Sequence, residues 1–272
     1  MKKITRNLNY DSDEVVLIIT GCICPNKNQR FLVLKDEDER LQQYVSSIRF
    51  YITESPFTKI VFCENSNYPY QQIGELVELA QLHGKAFEWL AFQGDQEQIR
   101  AQGKGYGEGE IIRYALIHSE LAVKARSFAK VTGRLTISNI DKVIRRMKPK
   151  MNYFNRDIYR GHGKDTRFYL CDIVFYKEKL MDAYLETCEL PGRELAIEDI
   201  FYVRLHRNKY CRNLKAFPSF QGCSGGNGRD YSKVPRLTIW LYGVFCKMNI
   251  FDDFYVIVLG LQKIRLVLTG QL

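Results

Sequence analysis

Two short, unbroken apolar runs, Val15-Val-Leu-Ile-Ile-Thr20 and Lys59-Ile-Val-Phe-Cys63, are each bounded by polar turns. Runs of this length without polar alternation predict strands buried on both faces, as in a parallel sheet. Between them Leu41, Tyr44, Val45 and Ile48 recur at helical spacing, and Asp36 with Glu39 ahead of them fits a capping box. That is a βαβ unit. The pattern repeats: Ile73, Leu76, Val77 and Ala80 predict an amphipathic helix ending near Gly84, followed by the strand-like Ala86-Phe-Glu-Trp-Leu-Ala-Phe92. Such alternation predicts a mostly parallel α/β sheet flanked by helices, with ligands at the carboxyl ends of its strands.

The stretch Gly103-Lys-Gly-Tyr-Gly-Glu-Gly-Glu110 then runs into the helical pattern of residues 111–119 and a strand at 128–138. Glycines ahead of a helix let backbone N–H groups approach an anion at its positive end, so this reads as a phosphate-handling loop. It is neither a Walker loop nor Gly-x-Gly-x-x-Gly, because Gly-Lys-Ser/Thr and the third glycine are both missing. Beyond 138 the alternation becomes irregular. Residues 165–176 alternate like an antiparallel strand, helices are expected near 177–187 and 196–206, and the glycines of 218–231 demand a loop. From Val234 onward the chain is apolar but broken by Lys263 and Arg265, which favours docked helices over a membrane span and leaves surface attachment to a membrane open.

Composition changes this picture little. With 46% hydrophobic and 26% charged residues over 272 positions, an ordinary globular domain is expected. The eight cysteines form no Cys-x-x-Cys pair and several lie in apolar runs, which points to free thiols, a reducing compartment and no zinc ribbon. No apolar stretch follows Met1-Lys-Lys, so a cytoplasmic protein is expected. Charge is more informative. The net +9 concentrates between Lys142 and Arg167 and again between Ile200 and Arg229, which contains no acidic residue. Such fields attract polyanions, diphosphates or anionic membranes, or are merely solvated faces.

The candidate chemistry lies at predicted strand ends. Glu64 and Asn65 follow the second strand and are placed to meet a base or ribose, unless they only cap a turn. Lys104, Gly105, Gly107 and Glu108 supply a point charge, backbone donors and a carboxylate at the helix start, where Glu108 and Glu110 can equally be caps. Lys130, Thr132, Gly133 and Arg134 form a compact group in which Arg134 can hold a phosphate bidentately or simply end a strand. His162 between two glycines can contact phosphate or belong to a turn, and no His spacing suggests a metal site.

In this order, Glu-Asn-Ser after the second strand, Lys-Gly-x-Gly-Glu opening a helix and Lys-Val-Thr-Gly-Arg on the next strand resemble bacterial polysaccharide-biosynthesis glycosyltransferases of the GT-A type, over roughly residues 13–232. The resemblance implies a GT-A-like, Rossmann-like fold with a nucleotide-sugar and acceptor domain at 1–232. It leaves 233–272 as an apolar helical segment packed on that domain or on a membrane surface. It implies a nucleotide-sugar donor and a glycan or lipid-linked acceptor at the inner face of the membrane, as in capsule or lipopolysaccharide assembly. Thr132-Gly-Arg134 stands where such enzymes carry Asp-x-Asp, which puts the usual divalent metal in doubt and makes Arg134 and Lys130 the substitute cations. Asp11-Ser-Asp13 and Asp36-Glu-Asp38 lie at the wrong places to replace it.

The same resemblance marks Glu198 and Asp199 as bases for the acceptor hydroxyl, with Asp165 next, although acids also favour a helix start. Gly222, Ser224, Gly225 and Arg229 are expected to form a loop over the diphosphate or acceptor, or a plain surface loop. Two rivals remain. A nucleic-acid-binding protein is suggested by Tyr153, Phe154, Tyr159, Phe168 and Tyr169 among the basic residues of 142–169. A sugar nucleotidyltransferase shares the sheet but requires a basic glycine-rich loop that Thr20-Gly-Cys-Ile-Cys-Pro25 lacks.

Overall fold

The computed structural model describes residues 14–25, 33–147, 151–157, 163–190, 193–206, 208–225 and 228–248. In chain order its elements are β1 (Val15–Gly21), α1 (Glu37–Glu54), β2 (Lys59–Glu64), α2 (Ile73–Leu82), β3 (Ala86–Ala91), α3 (Gln96–Gln102), α4 (Lys104–His118), α5 (Glu120–Val123) and β4 (Ser127–Thr132). There follow β5 (Thr136–Ile137), α6 (Ile140–Ile144), β6 (Asn152–Arg156), β7 (Lys164–Asp172), α7 (Ile173–Lys179), β8 (Cys188–Leu190), β9 (Arg193–Leu195), α8 (Ile197–Leu205), β10 (Cys211–Arg212), β11 (Phe220–Gln221) and α9 (Arg236–Met248).

Seven strands form the central sheet in the order β10-β6-β7-β4-β1-β2-β3. β3, β2, β1 and β4 are parallel, β7 runs against both β4 and β6, and β10 is parallel to β6. The chain builds β2 and β3 on one side of β1, then returns to place β4 on the other. Between β1 and β4 the order therefore reverses, and crevices open at such switch points.

The unbroken apolar run of β1 serves two cores. Val15, Leu17 and Ile19 pack with Tyr44, Ile48 and Ile52 of α1 and with Leu76 of α2. Val16 and Ile18 pack on the other face with Ile111, Ile112 and Ala115 of α4 and with Ile197 and Ile200 of α8. A strand covered on both faces has no use for alternation, which is why periodicity is absent there. Asp36 caps α1 as expected, accepting from Glu39 N at 2.8 Å. Fully buried Ile48 lies beneath it, and its truncation to Ala is expected to cost about 2–5 kcal/mol.

Some boundaries differ from the sequence reading: the strand expected at 128–138 ends at Thr132, and Thr136–Ile137 is a separate strand. β7 stops at Asp172, whose carboxylate accepts from Phe175 N at 3.0 Å and starts α7 four residues before the expected strand end. The helix expected at 177–187 is divided into α7 and a 3-10 turn at Ala183–Glu186. At the C-terminal side α9 docks through Tyr242, whose Oη lies 2.7 Å from both Asn155 Oδ1 and Leu214 O. The rest of the expected apolar segment, 249–272, lies outside the described residues, as do Asp11-Ser-Asp13, Tyr159 and His162. Among the described residues no helix is long and apolar enough to cross a membrane.

Candidate functional site

The parallel register places Thr20 beside Thr132 and Gly21 beside Glu64, so β1, β2 and β4 end at one level. A cleft of about 330 Å³ opens there. From the strand ends it is lined by Thr20, Cys22, Asn65, Thr132 and Arg134, and from α4 by Lys104, Gly105, Gly107 and Glu108. Asp157, Asp165, Thr166, Arg167 and Glu198 close one side, and Ser224, Gly225, Arg229 and Tyr231 another. Most of the residues singled out along the sequence thus share one cavity. Glu64, Lys130, Gly133, Asp199 and Gly222 do not line it.

The glycine-rich segment is not a loop. α4 begins at Lys104 and takes in Gly105, Gly107 and Gly109, so these glycines serve packing instead of mobility. A methyl group on Gly109 would overlap Tyr184, and one on Gly105 would press on Glu189, Ile197 and Thr187. Gly107 faces Asn65 and Ile99 on the other side. Only Gly103, with φ at 103°, adopts a conformation that favours glycine, and it does so at the junction of α3 and α4. The first amides of α4 already hold an anion: Glu189 accepts from Lys104 N at 3.2 Å and from Gly105 N at 3.1 Å. Burial pushes the Glu189 carboxyl above its ordinary range, against the opposing pull of Lys104 and these amides. The expected phosphate cradle is occupied by the protein's own carboxylate, which leaves the Lys104 side chain as that segment's exposed cation.

Lys130 is also internal. Its fully buried ammonium pairs with Glu108 at 2.7 Å and donates to Thr166 O at 2.6 Å and Thr132 Oγ1 at 3.1 Å. Three donors meet three acceptors, so Lys130 positions Glu108 and Thr132 instead of meeting a ligand as the sequence suggested. Gly133 is required because a methyl group there would overlap the Thr20 carbonyl oxygen. It brings β4 against β1 and sets the course of Arg134. Arg134 donates to Gln43 Oε1 at 3.3 Å and lies against Gly225, where any side chain would overlap its guanidinium.

Glu64 does not line the cleft. It accepts from Ser66 N, Ser66 Oγ and Tyr68 N, organising the turn after β2. Burial raises its pKa, opposed by those bonds. Ser66 Oγ in turn accepts from Ile23 N and Cys24 N, which ties the turn to the loop after β1. Asn65 is the cleft residue of the pair: it is buried, and its Oδ1 has no hydrogen-bond partner. Cys22 also lines the cavity, but burial pushes its thiol up to about 12, so it is protonated and poorly nucleophilic.

Of the three carboxylates expected to act as bases, Asp165 is tied down. Arg167 grips it with Nε–Oδ1 at 2.8 Å and Nη2–Oδ2 at 2.7 Å, while Asp157 lies 3.5 Å from the same guanidinium. Burial works against the Arg167 charge, but the neighbouring Asp165 and Asp157 outweigh it and hold its pKa above the usual value. The guanidinium also lies 4.6 Å from the Tyr231 ring and 5.1 Å from that of Phe220, an aromatic clamp. Asp199 accepts from Ala196 N at 3.3 Å and caps α8. Glu198 faces the cleft, accepting from Thr166 Oγ1 at 3.1 Å.

Arg40, Arg167, Glu189 and Asp157 escaped the sequence reading. Buried Arg40 donates to Cys22 O, Ile23 O and Leu34 O, shaping the loop after β1. An arginine one turn before Tyr44 on an otherwise apolar helix face was the available signal. The aromatic residues that suggested nucleic-acid stacking are core instead: Tyr153, Phe154, Phe168 and Tyr169 are each 1% exposed. They offer no platform for bases.

The β4 end does not fit a divalent cation. Arg134 places positive charge where carboxylates would be needed, and Asp157 and Asp165 already face Arg167. The seven cysteines whose side chains are described are not joined in disulfides.

No family model matches the chain, and no curated protein matches it. Among solved structures it is similar to the glycosyltransferase GlyE of Streptococcus pneumoniae TIGR4, at 11% identity and a TM-score of 0.48 over 74% of this chain and 45% of that one. It is also similar to the apo form of WbbM, a bifunctional glycosyltransferase, at 8% identity and a TM-score of 0.45 over 86% of this chain and 44% of that one. The chain spans less than half the length of either.

Proposed function

We propose that this protein is a glycosyltransferase that moves a sugar from a nucleotide-sugar donor to a hydroxyl of a glycan or lipid-linked glycan, in surface polysaccharide assembly. One observation carries the reading. At the switch point of the sheet, a single cleft sets the cations Arg134, Lys104 and Arg229 together with the carboxylate of Glu198. Glycosyl transfer needs both: positive charge for a departing diphosphate, and a base for the attacking hydroxyl.

The acceptor oxygen attacks the anomeric carbon, its proton passes to Glu198, and the bond from that carbon to the diphosphate oxygen breaks. Arg134 and Lys104 neutralise the charge that develops on the leaving group. Asn65 Oδ1, buried and unsatisfied, supplies a hydrogen-bond acceptor for the nucleoside.

Titration calorimetry of the protein with UDP-, GDP- and CDP-sugars and CMP-linked sugars tests this directly. Micromolar to millimolar binding of one class is expected; absence of binding to all of them would remove the reading. Salt-sensitive binding to RNA or DNA instead would favour the nucleic-acid alternative.

A further inference from the structure

We propose that, given the glycosyl-transfer reading of the cleft on which this rests, Glu108 and Thr132 together read one hydroxyl of the transferred sugar. The donor is then a nucleotide-linked sugar that carries a free hydroxyl at that position, and sugars deoxygenated there are rejected.

The buried ammonium of Lys130 sets up the pair. Its Nζ lies 2.7 Å from Glu108 Oε1 and donates to Thr132 Oγ1 at 3.1 Å, so a carboxylate and a hydroxyl are fixed around one nitrogen. Glu108 and Thr132 line the cleft, whereas fully buried Lys130 does not. Neither spends its whole capacity on the lysine. A carboxylate accepts through two oxygens, and a hydroxyl that accepts from an ammonium still has its own proton to donate. Among the described residues, neither the second Glu108 oxygen nor the Thr132 proton has a hydrogen-bond partner. A saccharide hydroxyl both donates and accepts, so it completes the set by giving its proton to Glu108 and receiving one from Thr132.

Position separates the transferred sugar from the ribose. Lys130 also donates to Thr166 O at 2.6 Å, and Thr166 Oγ1 donates to Glu198 at 3.1 Å, so the hydroxyl reader and the base are tied to each other through one residue of β7. The anomeric carbon has to meet the attacking oxygen beside Glu198, which brings the sugar ring to the same place. The cations for the diphosphate stand next to the pair: Lys104 is one turn before Glu108 on α4, and Arg134 is two residues after Thr132. Asn65, the contact for the nucleoside, follows β2, two strands away from β4 in the sheet. The ribose belongs to that end of the cleft.

Titration calorimetry of the full chain with UDP-glucose, UDP-galactose, GDP-mannose and CDP-glucose, each beside its deoxy forms and the free diphosphate, provides the test. In the best-bound series, deoxygenation at one position of the hexose should weaken binding about 100-fold, and at the others about threefold or less. Thr132→Val should weaken the intact sugar nucleotide about tenfold while binding the free diphosphate and the critical deoxy form as the parent chain does. Thr132→Ser, which keeps the hydroxyl, should restore binding. Glu108→Gln keeps one oxygen for Lys130 and loses the second acceptor, so it should repeat the Thr132→Val pattern. Equal binding of all deoxy forms would overturn the proposal. So would a loss in Thr132→Val that the critical deoxy form and the free diphosphate share, which is the mark of a merely structural role. A loss confined to the 2′-deoxyribose analogue would assign the pair to the ribose and overturn it equally. Absence of binding by every sugar nucleotide removes the glycosyl-transfer reading and this specificity with it, whereas binding that ignores deoxygenation removes the specificity alone.

Discussion

Lys130 Nζ and Glu108 Oε1 lie 2.7 Å apart, the lysine side chain fully buried and the glutamate at the cleft wall. The pair joins β4 to α4 across the site, so each side chain holds the other's element in place. Removing one partner of a buried pair strands the remaining charge. Glu108→Ala is therefore expected to cost about 3 kcal/mol in denaturant unfolding. Glu108→Leu with Lys130→Met should recover most of that loss, because an apolar replacement leaves no charge behind. A cost for Glu108→Ala near zero would show that Lys130 is adequately held by Thr132 and Thr166 alone.

Glycines that look alike in the sequence do different work. Gly74 in α2 has open space around its Cβ position, so Gly74→Ala should raise stability by about 0.4–1 kcal/mol through helix propensity and a less flexible unfolded chain. Gly109→Ala gains the same propensity but drives a methyl group into Tyr184. The overlap should win, for a net loss of about 1–2 kcal/mol. Thermal melts of the two variants, moving in opposite directions, would check it.

The contrast explains what could be read in advance. β1, β2 and α1 were legible because each is a local pattern, an apolar run or a helical stripe with its cap at Asp36. The cleft opens at the ends of β1 and β2. The glycine segment was not legible, because Gly105 and Gly109 are explained by Glu189 and Tyr184, residues some eighty positions away. The same holds for Lys130, whose partners Glu108 and Thr166 arrive from α4 and β7. A basic residue near a strand end looks identical in sequence whether it faces a ligand or a buried carboxylate.

Glu189 should leave a signature in the pH dependence of stability. Its folded pKa is raised, chiefly by burial, so the folded state holds this proton more tightly than the unfolded chain does. That contribution is complete below the ordinary glutamate pKa and is lost as pH rises through the folded value. Glu189→Gln cannot titrate. The stability difference between parent and variant should therefore move in favour of the variant from about pH 4 to about pH 7. Unfolding curves at the two pH values test the sign, and an unchanged difference would mean that Glu189 is solvated in the folded protein.

Arg134 is expected to act on chemistry and not on folding. It reaches the cleft from the end of β4 and has one long hydrogen bond, to Gln43, to lose. Arg134→Ala should leave Tm within a few degrees of the parent while lowering kcat/KM by about 100-fold, the usual scale for losing a charge that stabilises a leaving group. Arg134→Lys should recover part of it, since a point charge remains but the two-pronged donor does not. Equal turnover in all three proteins would remove Arg134 from the mechanism.

The assignment of the base rests on what Asp165 and Glu198 touch. Both oxygens of Asp165 accept from Arg167, at 2.8 and 2.7 Å, so both are engaged in a buried bidentate pair. Glu198 accepts from the neutral hydroxyl of Thr166 and faces the same cavity, which places its carboxylate where an acceptor hydroxyl would enter. Glu198→Gln should thus lower kcat by about 100- to 10,000-fold with donor affinity and Tm preserved. Asp165→Asn should instead lower Tm, because it strands Arg167 between the rings of Phe220 and Tyr231 with Asp157 as its remaining carboxylate. Pre-steady-state transfer rates measured beside melting curves separate the two. A stable Asp165→Asn protein with no turnover, beside an active Glu198→Gln protein, would reverse the assignment.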